Sequence, residues 1–249
     1  GLTIKPAPGV NAVIFGSTDT SGLIVIRGGT RKVTIDGSNT VGGTSRDLTI
    51  TNTSTATNTA GICVQSLGAT LGATNDVIKN CKINAGSNTV TSTFGIHVAG
   101  TTVSTSATGE DNDNLVLQNN EITTAYYGIY ARAASIGGSN DGLQIVDNLI
   151  GSATAANYIG FRGMDVQYAN APLISRNTVF NMIWPAATTT IAGIDLGSGV
   201  INGIITRNNV RSIQNTTTSG WGAYGIVQSS TTATIGNLIA NNFVSDLLG

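Results

Sequence analysis

Asp165 and Asp195 are the residues whose type and spacing most invite chemistry. Each stands third in a short motif, Gly163-Met164-Asp165-Val166 and Gly193-Ile194-Asp195-Leu196. If the two motifs are neighbouring strands, the carboxylates lie about one strand spacing apart, ~4.8 Å. Two carboxylates that close raise the pKa of one or attract a cation, and Arg162 is near in sequence as a base. His97, the only histidine, and Tyr130 hold the same third position in Gly95-Ile96-His97-Val98 and Gly128-Ile129-Tyr130-Ala131. The column Cys63, His97, Tyr130, Asp165, Asp195, Val227 is expected to point outward, with His97 exposed or half-exposed. Asp165, Asp195, Tyr130 and His97 are therefore the candidate saccharide- or cation-binding residues. A polysaccharide lyase needs carboxylates that bind a cation and a Lys or Arg base, and a hydrolase needs two or three carboxylates at one point. A general acid, a base and an orienting partner cannot all be assigned here, so no catalytic residue is named. Two solvated aspartates on an open face are the favoured reading.

Other candidates carry less. The run Gly109-Glu110-Asp111-Asn112-Asp113-Asn114 is the densest in acids. It lacks the spacing of an EF-hand loop and the nonapeptide repeat of calcium-binding β-rolls, and reads as a solvated turn. Gly197-Ser198-Gly199 has no phosphate-binding continuation. Asp147 and Arg176 share a repeat position and are read as an ion pair between turns, worth little if exposed. Cys63 and Cys81 are too few for a zinc site or a disulfide framework, and whether they bond to each other is left open. No metal and no cofactor is expected.

What must position these residues is a repeat. The Gly motif recurs at Gly61, Gly95, Gly128, Gly163, Gly193 and Gly225, in steps of 34, 33, 35, 30 and 32 residues. A second motif interleaves with it, as in Ile78-Lys79-Asn80-Cys81-Lys82-Ile83 and Ile205-Thr206-Arg207-Asn208-Asn209-Val210. Its fourth position runs Cys81, Asn120, Asn148, Asn177, Asn208, Asn242. Each motif alternates apolar and polar residues, the signature of a strand with one buried face. So few apolar residues cannot close a core alone, but stacked coils can. A unit of about 30 residues with three short strands is one rung of a parallel β-helix, and 249 residues give about seven rungs. Asn120, Asn148, Asn177, Asn208 and Asn242 would form a structural ladder, side chains bonding from rung to rung. Variable stretches such as Thr101–Asn114, Ser135–Asp141 and Ala186–Thr190 are loops on one face, where binding often resides.

Composition narrows the function. Charged residues are only 10%, with 12 Lys+Arg against 13 Asp+Glu and a net charge of -1. Without a basic cluster there is no nucleic-acid footprint. No apolar run reaches the ~20 residues of a membrane helix, so no membrane insertion is expected. With Gly 32, Thr 36 and Asn 25, the chain suits a secreted or cell-surface protein. Too few titratable groups converge for catalysis.

The two motifs resemble those of right-handed parallel β-helix repeat proteins of the pectate-lyase-like class. Stretches such as Val33-Thr34-Ile35-Asp36-Gly37-Ser38-Asn39 and Ala125-Tyr126-Tyr127-Gly128-Ile129-Tyr130-Ala131 are most similar to β-helix modules in large secreted proteins of Bacteroidota. Those proteins often carry a type IX secretion signal and act as surface adhesins or filaments. The resemblance implies an all-β, right-handed single-stranded parallel β-helix over 1–249, one domain and part of a longer polypeptide. It further implies a non-catalytic structural or adhesive module whose partners are surface glycans or neighbouring modules or subunits. The alternative is a carbohydrate-active enzyme, a polysaccharide lyase or hydrolase, with its site around Asp165 and Asp195.

Overall fold

Three strands per repeat, each with a single apolar face, bury those faces only by coiling around a shared interior. The computed structural model of the chain shows that arrangement and describes residues 1–29, 32–186, 188–230, 232 and 235–249. Ala187, inside the expected insertion Ala186–Thr190, lies outside the described residues. The chain winds into an all-β parallel solenoid of about seven turns. Its one described helical element is a three-residue 3-10 turn at Ala155–Asn157.

The strands stack in three columns. The first holds strands of three or four residues that carry the aliphatic residue opening the Asn motif, including Val77–Lys79, Val116–Gln118, Gln144–Val146, Leu173–Ser175 and Ile204–Thr206. All neighbours along it are parallel, from Leu2–Ile4 to Leu238–Ala240. The second follows the Asn turn, as in Cys81–Ser87, Thr178–Trp184 and Asn209–Asn215. The third carries the Gly motif, as in Thr59–Gln65, Thr93–Ala99, Ile159–Gln167 and Ile191–Leu196. Strand Glu121–Arg132 belongs to both, turning the corner at Thr124 with a φ of 53°.

The interior consists of aliphatic stacks at each register position. Ile35, Ile78, Leu117, Ile145, Ile174 and Ile205 form one, and Ile50, Ile83, Ile122, Ile150, Val179 and Val210 another. Ile62, Ile96, Ile129, Met164 and Ile194 form the third, and all three stacks are buried. Each such side chain contributes about 1.5–3 kcal/mol on leaving water. The Gly motif has a steric cause. A Cβ on Gly128 would meet the Gly163 carbonyl oxygen at 2.5 Å and Ile150 Cγ2 at 2.7 Å. The same clash recurs at Gly95 and Gly163, each against the carbonyl oxygen of the next motif glycine.

At the turn between the first two columns the asparagines form a continuous ladder. Asn120, Asn148, Asn177 and Asn208 each donate from backbone N and from Nδ2 to Oδ1 of the Asn one turn on. Each Nδ2 also donates to a first-column carbonyl of the preceding turn. The left-handed residue of the turn is the one before the ladder Asn: Asn80, Asn119, Asp147, Arg176, Arg207 and Asn241 have φ between 51° and 60°. The ladder asparagines serve as side-chain donors and acceptors, while their neighbours take the backbone strain.

Candidate functional site

The Gly-motif column reads, by register, Cys63, His97, Tyr130, Asp165, Asp195, Val227. Its side chains leave the solenoid interior, because Ile96 and Val98 on either side of His97 belong to the inner core. The outer face is nonetheless closed over His97 and Tyr130. The segment after strand Thr93–Ala99 folds back over it, and Val103 joins Phe94, Tyr126, Tyr127 and Tyr130 in a second apolar cluster. Tyr130 Oη and Arg132 Nη1 both donate to the Thr105 carbonyl oxygen at 2.7 Å.

His97 is thus fully buried, not exposed or half-exposed as its outward position suggests. Alternation tells which side of the strand a residue occupies, not whether an inserted loop covers it. His97 Nε2 lies 3.1 Å from the Ser104 carbonyl oxygen. A carbonyl only accepts, so Nε2 carries the proton and Nδ1 is the bare nitrogen. Nδ1 has no hydrogen-bond partner. Burial pushes the imidazole down to about 4, so it is neutral at pH 7. The ring packs edge-on against Phe94, 4.7 Å between centroids, and stacks on Tyr130 at 5.5 Å. Burial also lifts the Tyr130 phenol to about 12. Neither residue is accessible to a saccharide.

Asp165 and Asp195 are direct register partners on adjacent strands. They do not form an open, solvated pair. Asp165 is 8% exposed, and its Oδ1 accepts from Gln167 Nε2 at 3.0 Å. Burial, with a further push from the Asp195 charge, raises it to about 6 against the pull of Gln167, Arg162 and Arg132. Asp195 is held by Arg162, Nε to Oδ2 at 3.1 Å, and Ser229 Oγ donates to its Oδ1 at 3.3 Å. Arg162 is itself fixed: Nη1 donates to the Thr190 carbonyl at 2.6 Å, and the guanidinium lies 4.0 Å from the Phe161 ring centroid. The arginine therefore neutralises Asp195 rather than standing free as a base. The structure joins Arg162, Asp165, Gln167 and Asp195 into one polar cluster at the edge of the aromatic patch. Sequence reasoning missed Gln167 and the covering Val103, Ser104 and Thr105. Gln167, two residues after Asp165 on the same strand face, was the available signal.

The acidic run serves the turns around it. Asp111 Oδ2 accepts from Thr70 N, Asn112 Oδ1 from Ala73 N, and Asp113 Oδ1 from Asp141 N. Among the described residues no three His, Cys, Asp or Glu side chains are grouped to hold a metal ion. Cys63 and Cys81 are both free and buried. Arg176 grips Asp147 through two bonds of 2.7 and 2.8 Å on the surface.

Among the described residues, depressions lie elsewhere. A shallow groove of about 550 Å³ is lined by Asn88, Thr89, Tyr158, Ile183, Trp184 and Pro185 among others. A smaller one of about 250 Å³ is lined by residues including Asn181, Ser212 and Asp246. Neither touches Asp165 or Asp195. No protein-family model, curated protein or solved structure matches this chain.

Proposed function

We propose that the chain is a non-catalytic solenoid module, a rigid structural or adhesive scaffold whose partners are surface glycans or neighbouring modules. One observation carries this reading. The column with the most chemical potential is spent on the protein itself, with His97 and Tyr130 tied beneath the 101–108 segment and Asp195 neutralised by Arg162. A catalytic acid and base must meet the reacting atoms, and these groups meet one another.

A secreted or cell-surface location accords with the low charge and abundant Gly, Thr and Asn. The right-handed coil and the likeness to Bacteroidota modules exported by type IX secretion belong to the same reading. The whole chain, immobilised and probed with a panel of neutral and acidic glycans, is expected to retain ligand without altering it. Ligand recovered as shortened products would overturn the scaffold.

A second reading has one observation in its favour. Asp165, raised to about 6, lies beside an Asp195 that is paired with Arg162. Two carboxyls with environments driven apart are the pattern of an acid and its partner in glycoside hydrolysis. The alternative is therefore a carbohydrate-active enzyme working at Asp165 and Asp195.

A further inference from the structure

The corner between the second and third columns changes length from turn to turn, and the groove beside Trp184 lies where a short corner meets longer ones. The step from Ile122 to Gly128 is 6 residues, against 12 from Ile83 to Gly95 and 13 from Ile150 to Gly163. The two longer corners touch each other across the short one. Asn88 Nδ2 donates to the Ala156 carbonyl at 3.4 Å, and Gly160 backs so closely onto Asn88 that a Cβ would stand 2.1 Å from its carbonyl oxygen. Tyr126, on the short corner, stacks on Phe161 at 5.0 Å and meets Trp184 edge-on with centroids 5.1 Å apart. These contacts hold the Trp184 ring in place as part of the groove, whose volume of about 550 Å³ is in the range that takes a small ligand. Turns pack on both sides of it, Thr59–Gln65 against Thr93–Ala99 and Asn209–Asn215 against Thr178–Trp184. The groove is therefore a feature of the middle of the coil.

Its chemistry differs from that of the His97–Asp195 column. The lining carries no Asp, Glu, Lys or Arg, so a charged ligand would find no ion pair there. It offers the rings of Tyr158 and Trp184 beside a carboxamide and a hydroxyl from Asn88 and Thr89. Among the described residues, Trp184 Nε1, Tyr158 Oη and Asn88 Oδ1 make no hydrogen bond. The polar groups of the column, by contrast, are spent on the protein. A neutral sugar ring matches such a surface: its C–H face packs on an aromatic ring, and its hydroxyls meet uncharged donors and acceptors at the ring tips and the amide. A peptide added as a strand has no free edge here, because Thr178–Trp184 is paired on both sides.

We infer that this groove binds a neutral pyranose oligosaccharide, stacked on Trp184 and hydrogen-bonded by Tyr158 and Asn88. This rests on the scaffold reading, whose glycan partner it places on the molecule and restricts to uncharged sugars.

The test is isothermal titration calorimetry of the full chain with cellohexaose and mannohexaose, both neutral, and with hexagalacturonate, which is acidic. Saturable binding of a neutral probe and none of hexagalacturonate is expected. Trp184→Ala should weaken binding about tenfold through the lost stacking. Tyr158→Phe keeps the ring and loses one hydrogen bond, and should weaken it about threefold to tenfold. Trp221→Phe, at an exposed tryptophan outside the groove, should leave binding unchanged. Tyr158→Phe removes a single oxygen atom from a half-buried side chain, so the test stands even where Trp184→Ala fails to fold. Binding that survives both groove variants, a preference for hexagalacturonate, decaproline bound in place of the sugars, or no binding of either neutral probe would each overturn the inference. Sugar bound elsewhere on the chain would leave the scaffold reading standing, since that reading falls only when recovered sugar is shortened.

Discussion

Asn148 directs both its backbone N–H and its side-chain Nδ2 to a single oxygen, Oδ1 of Asn177, each at 3.0 Å. Asn177 repeats the arrangement with Asn208. Asn120, Asn148, Asn177 and Asn208 each donate to the following turn and accept from the preceding one, in a buried slot where an unpaired group costs about 1–3 kcal/mol.

Asn177→Ala removes the acceptor for two Asn148 donors and leaves them buried. Urea denaturation should show a loss of about 2–4 kcal/mol. Asn242→Ala, at the half-buried end of the ladder, should cost less than half as much. Equal losses at both sites would contradict a cooperative ladder.

Gly128→Ala forces a Cβ to within 2.5 Å of the Gly163 carbonyl oxygen. Backbone cannot swing away as a side chain can, so a loss of about 1–3 kcal/mol is expected. Gly222→Ala has nothing within 4 Å and should stay within about 0.5 kcal/mol of the parent. Thermal melts of the two variants make the comparison.

His97 and Asp165 push stability in opposite directions over one pH window. His97 titrates near 4 when folded and near 6.5 unfolded, so the unfolded chain takes up the extra proton and stability falls as pH drops from about 6.5 to 4. Burial raises Asp165 to about 6 when folded, against 3.8 for an aspartate in the unfolded chain, so the folded chain holds the extra proton and stability falls as pH rises from about 4 to 6. Asp165→Asn should remove the second slope, leaving a chain steadily more stable from pH 4 to 6.5. Denaturation midpoints at half-unit pH steps separate the two contributions.

Cys63 and Cys81 are buried, free and raised to about 12 by burial. A thiol reagent at pH 8 should find no reactive cysteine in the native chain and two in denaturant, since the thiolate is the reacting form. Prompt native reaction would show that this part of the solenoid opens.

The coil was legible because its physics is periodic. Gly61 through Gly225 and Cys81 through Asn242 recur at the pitch of the turn, and the register pairs those same positions. What the glycines do was not legible, because the carbonyl they avoid lies a full turn away in sequence. His97 shows the same limit at the candidate site: alternation sent it outward, and only tertiary structure brings Ser104 and Thr105 over it. Asp165 and Asp195 were paired by spacing alone, whereas Arg162's grip on Asp195 depends on rotamers and on the Thr190 carbonyl that the repeat does not encode.

The most direct measurement is turnover of one panel of neutral and acidic polysaccharides by the parent chain, Asp165→Asn and Asp195→Asn, followed as new reducing ends and as unsaturated products. A scaffold whose acids are committed to internal contacts predicts no turnover by any of the three. Turnover by the parent that disappears in Asp165→Asn, with the variant still folded, would contradict it and establish the enzyme.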